Sequence, residues 1–81
     1  MDSEFDRIKK IVADVLNVDP NEITEQTTFE EDLGADSLDM YQILLGLEEE
    51  FGVEVDLEKV KDIKTAGEAL QVVRQAVGEN A

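Results

Sequence analysis

Few side chains in this 81-residue sequence could do chemistry, and the serines and the carboxylates lead them. Cysteine and histidine are both absent. That removes disulfides, Cys/His zinc sites, thiol nucleophiles and every histidine-based triad. Ser37 has no base close to it in sequence, since the nearest lysine is Lys59, and a serine without a base is a poor catalytic nucleophile. Its setting suits another task. It follows the acidic turn Glu31-Asp32-Leu33-Gly34-Ala35-Asp36 and opens a long amphipathic stretch that ends at Phe51. Gly34 can take a positive φ at no steric cost, and Asp36 can cap the first free amides with its carboxylate. Ser37 then falls in the first turn of a helix, near the positive end of the macrodipole, a good place to hold a phosphate.

The carboxylates are plentiful but do not form a recognisable catalytic or metal site. A glycosidase-like pair needs a substrate cleft that a chain of this size hardly offers, and no segment fits the EF-hand pattern. No specific metal ligands are expected. Glu30-Glu31-Asp32 and Glu48-Glu49-Glu50 are expected only to bind divalent cations weakly, relieving like-charge repulsion. Seven Lys and Arg against twenty-one Asp and Glu give a net charge of −14, and no cation stands between Lys10 and Lys59. Such a field repels nucleic acid and anionic membranes and favours basic surfaces on partner proteins.

The elements that must position Ser37 are helical. Phe5, Ile8, Val12, Val15 and Leu16 recur at three- and four-residue steps, which predicts a first helix over 4–16 behind a Ser3/Asp6 capping box. Asn17 can end it in a left-handed conformation and Pro20 prevents its continuation. A long connection follows to Asp36, with Ile23, Phe29 and Leu33 set along it like pegs into a core and one short turn opened by Pro20. The second helix, Ser37 to Phe51, carries two apolar stripes. Met40, Ile43, Leu44, Leu47 and Phe51 face the core. Leu38, Tyr41 and Leu45 form an offset strip beside the serine, rimmed by Asp39, Glu48 and Glu49, in the manner of a docking surface. Gly46 in mid-helix costs about 1 kcal/mol relative to alanine, for which close packing against a neighbour is a reason. Val53-Glu54-Val55 reads as a loop. Asp56 caps a short third helix through Ile63, with Leu57, Val60 and Ile63 inward. Thr65 and Glu68 form the capping box of a fourth helix with Ala66, Ala69, Leu70, Val73, Ala76 and Val77 on its apolar side, ended by Gly78, with Gly78 to Ala81 frayed.

The expected fold is therefore all-α, a small bundle of three main helices plus one short helix, with a long loop between helices one and two. Residues 1–81 are expected to be one domain and a monomer. With no run of 18 apolar residues and no apolar signal-type N-terminus, the chain is expected to be soluble and cytoplasmic, without membrane insertion.

Asp36-Ser37-Leu38 within LGADSLD, followed by LEEEFG at Leu47 to Gly52, resembles the acyl carrier proteins of type II fatty acid synthesis, and the similarity covers nearly the whole chain. The resemblance implies that a phosphopantetheinyl transferase, using coenzyme A and Mg²⁺, joins 4′-phosphopantetheine to Ser37. The arm then presents acyl thioesters to fatty acid synthase enzymes and acyltransferases with basic patches, and the chain itself catalyses nothing. By position, Asp36, Leu38 and Asp39 match the family's recognition residues around the serine, and Glu48 and Glu49 its further acidic contacts. Gln42 stands where the family usually has a glutamate, and Tyr41 where a small aliphatic residue is typical; both bear on partner choice. Two other readings stand beside this one: a discrete carrier for a polyketide, aminoacyl or other specialised pathway, and an unmodified acidic interaction module.

Overall fold

The computed structural model describes residues 3–80. Helix α1 spans Glu4–Leu16, and its start is fixed by the expected box: Ser3 Oγ accepts from the Asp6 amide, and the Asp6 carboxylate accepts from the Ser3 amide. A hydrogen bond from Lys9, then those from Ser3, hold the Asp6 carboxyl below the usual carboxylate range. Asn17 ends α1 at φ 58° in the left-handed region. After a single 3₁₀ turn at Pro20–Glu22, the chain reaches α2 at Ser37–Phe51, then α3 at Leu57–Val60 and α4 at Ala66–Asn80. The match to an all-α bundle with one short helix is complete in element order.

The core lies where α1 meets α2 and α4. Phe29, Ile8, Ile43, Val12 and Val73 are its largest fully buried side chains, each contributing about 1.5–3 kcal/mol of transfer free energy. Gly46 shows why mid-helix glycine is used: a Cβ there would lie 2.8 Å from Ile11 Cγ2, so α2 approaches α1 more closely than any side chain would allow.

The long connection is ordered by backbone hydrogen bonds to the far end of the chain. The Phe29 amide donates to Lys64 O (2.9 Å), Ala66 to Thr27 O (3.0 Å) and Gly67 to Glu25 O (3.0 Å). Thr28 and Thr65 form an antiparallel bridge. Nothing in local periodicity signals this pairing, because both partners are short irregular segments. Ile23 and Phe29 are buried and Leu33 packs partly against the core, as their spacing suggested.

Three expectations change. Helix α3 stops at Val60, and Ile63 is buried from the turn that follows, not from a helix face. Asp56 and Lys61 bracket a segment too short to develop a full turn-to-turn ladder. Helix α4 runs through Gly78 to Asn80; glycine lowers helix propensity but does not by itself stop a helix. Val77 is exposed, not on the buried side, although its neighbour Ala76 is buried. The inward setting expected of the Leu57 side chain and the fraying expected at Ala81 lie outside the described residues.

Candidate functional site

Ser37 is exposed at the first position of α2. The turn before it is shaped by Gly34 at φ 70°, and the Ala35 amide donates to Phe29 O at 2.8 Å, pinning the approach to the core. Asp36 caps the helix as expected, and its partner is Asp39. The Asp39 amide donates to Asp36 Oδ1 at 2.9 Å, while the Asp36 amide donates to Asp39 Oδ2 at 3.2 Å. Two carboxylates thus flank the serine and share the positive end of α2. The Ser37 hydroxyl itself has no hydrogen-bond partner among the described residues, whereas the other serine, Ser3, spends its hydroxyl on the α1 cap.

Beside Ser37 opens a cleft of about 500 Å³ between the long loop, the start of α2 and the segment after α3. Phe29, Ala35, Met40, Val60 and Ile63 supply its apolar lining; Glu30, Glu31, Lys61 and Lys64 give it charged walls. A volume of this size is in the range of small-molecule sites. Beneath it, a pocket of only about 10 Å³ reaches between Ile43, Leu44, Leu47 and Ala69, sharing Phe29, Met40, Val60 and Ile63 with the cleft. Sequence reasoning did not foresee the two lysines of the cleft; the signal was available, since Lys59, Lys61 and Lys64 end the long stretch without cations.

The offset strip is open to solvent. Leu38 is 64% exposed, Tyr41 43% and Leu45 45%, and Tyr41 also lines the cleft next to Ser37. Gln42 and Glu49 are exposed on the same helix. Glu48 differs from its neighbours: it is half-buried, and its Oε2 accepts from the Val55 amide at 2.9 Å, holding the loop after α2. Glu50 is tied to Arg7, at 2.8 Å from its Nε. No group of three or more carboxylates among the described residues is arranged to hold a metal ion.

A family model, the phosphopantetheine attachment site, matches residues 6–73. The chain belongs to this family. It is a carrier protein, and its family domain is the place of covalent 4′-phosphopantetheine attachment, which sets aside the reading as an unmodified acidic module. Carriers of this kind are non-catalytic; they are modified by a phosphopantetheinyl transferase and interact with synthase enzymes. Two of the solved structures that resemble the carrier illustrate the likeness. One, described as the ishigamide ketosynthase/chain length factor, contains a chain 28% identical with a TM-score of 0.76, covering 91% of this chain and 93% of that one. The other is the solution structure of the 3,7-dioxo-octyl actinorhodin acyl carrier protein from Streptomyces coelicolor, 23% identical with a TM-score of 0.81, covering 95% and 93%. The second likeness shows the acyl-carrier fold. No helix of the described residues is long and apolar enough to cross a membrane.

Proposed function

We propose that Ser37 carries the 4′-phosphopantetheine arm and that the chain, as a single carrier domain, passes growing acyl groups between the enzymes of fatty acid synthesis. The observation that supports this most is the contrast between the two serines: Ser37 is exposed at the mouth of a cleft with its hydroxyl unengaged, and Ser3 is committed to a cap. When bound, the arm supplies the thiol that holds cargo as a thioester. The protein's own residues do the rest. Asp36 and Asp39 lock the first turn, so Ser37 is presented on a rigid helix end. Leu38, Tyr41 and Leu45 offer partner enzymes an apolar centre, with Asp36, Asp39 and Glu49 as the charged rim that steers basic surfaces. Glu48 belongs to this rim less than its position implies, because its carboxylate holds Val55. The apolar floor of the cleft gives a short acyl chain surface to lie on, and a longer one must part Phe29 and Met40 from Ile43 and Leu47 to enter the core.

A second reading, service to a specialised pathway of the polyketide kind, is favoured by the mixed lining of the cleft. Charged Glu30, Glu31, Lys61 and Lys64 suit an oxo-substituted chain better than a saturated one, and Gln42 and Tyr41 depart from the fatty acid pattern. The 28%-identical chain, from the structure described as a ketosynthase/chain length factor, supports the same reading.

Incubation with coenzyme A, Mg²⁺ and a transferase of broad specificity tests the proposal by intact mass. Wild type gains one phosphopantetheine and Ser37→Ala gains none. Absence of any gain, with a control carrier loaded in parallel, would sink it. Loading with saturated against oxo-substituted acyl donors, followed by partner turnover, separates the two cargo readings.

A further inference from the structure

We infer that Lys61 and Lys64 form a cationic seat for the phosphodiester on Ser37 and hold the arm along the cleft between encounters with partners; this rests on the Ser37 reading above. Ser37 stands among Asp36 and Asp39, with Glu30 and Glu31 on the same cleft. A phosphodiester added there brings a further negative charge to the most acidic part of a chain of net charge −14. The capping carboxylates already occupy the positive end of α2, so the helix offers the new charge little relief. Across the cleft the sign changes. Lys61 and Lys64 line the same cavity as Ser37, both exposed, and neither has a carboxylate within ion-pair distance among the described residues.

The backbone under these lysines is fixed. Lys61 is the C-cap of α3. The Lys64 carbonyl accepts from Phe29, and its amide donates to Glu68 Oε1 at 3.3 Å. The cationic wall is therefore stitched to the same loop that leads into Ser37. Between the two walls lies the apolar floor, which suits the less polar stretch of the arm. Lys59 provides an internal control: it carries the same charge on α3 but does not line the cleft.

The test uses the loaded carrier, with loading confirmed by mass. The ³¹P resonance is recorded together with nuclear Overhauser contacts from a ¹³C-labelled arm to the Val60 and Ile63 methyls. In wild type at low salt the contacts are expected, and each Lys→Gln change at 61 or 64 should lower the docked population by about threefold, the effect of one exposed ion pair. High salt should mimic the double variant, Lys61→Arg with Lys64→Arg should retain the contacts, and Lys59→Gln should match wild type. A wild-type arm without contacts to the cleft, a Lys61→Gln/Lys64→Gln arm unchanged from wild type, or an equal effect from Lys59→Gln would each overturn the inference. A wild-type protein that gains no mass fails earlier, at the Ser37 reading itself.

Discussion

The two ends of α2 carry similar residues and use them in opposite ways. At the N-terminal end, the carboxylates of Asp36 and Asp39 bond to each other's amides, and Ser37, Leu38 and Tyr41 face solvent. At the C-terminal end the acids are bound into the fold: Glu48 holds Val55, and Glu50 accepts from Arg7, whose guanidinium also lies 4.5 Å from the Phe51 ring centroid. Gly46 lets α1 close on this half. The difference teaches that an acidic, amphipathic helix need not present all its charge to partners. One end is anchored so that the other can be rigid while exposed.

The strongest way to break this division is to overfill the anchored end. Gly46→Val should cost about 1–3 kcal/mol through overpacking against Ile11, read as a lower midpoint of denaturant unfolding. Loading at Ser37, measured on the folded fraction, should be unchanged. Next comes the exposed end. Asp36→Ala removes a helix cap and should cost about 0.5–2 kcal/mol. Unlike Gly46→Val, it should also slow modification by the transferase, because the turn bearing the serine frays; calorimetry paired with loading rates checks both. The smallest effect sharpens the contrast within one acidic run. Glu48→Ala should cost about 0.5–1.5 kcal/mol by leaving the Val55 amide unpaired. Glu49→Ala should leave stability within about 0.5 kcal/mol and instead weaken the salt dependence of association with a basic partner. Equal stability losses at the two glutamates would erase the distinction.

Much of this was legible in the sequence, because it rests on local rules. The bounds of α1 and α2 followed from periodicity and from caps at Ser3, Asn17 and Asp36. The exposed strip of Leu38, Tyr41 and Leu45 followed from its offset to the core stripe, whereas the cost of glycine in a helix raised close packing at Gly46 only as one reason, and the structure supplied the neighbour, Ile11. What stayed hidden is non-local. The Thr28–Thr65 bridge, the bond from Val55 to Glu48 and the gathering of Lys61 and Lys64 beside Ser37 join residues far apart in sequence or in irregular segments, where no period exists to read. The short extent of α3 belongs with these, since a four-residue helix is set by its surroundings more than by propensity.

The bonds from Phe29 to Lys64, Ala66 to Thr27 and Gly67 to Glu25 also bear on the order in which the molecule assembles. Helices form from neighbours and quickly, but each of these bonds must close a long stretch of chain before it yields anything. The segment that leads into Ser37 is therefore fixed only once residues 64–67 have docked against it. A complete α2 without these bonds would still lack the geometry around its serine, so the finished site requires that the loop and residues 64–67 have met.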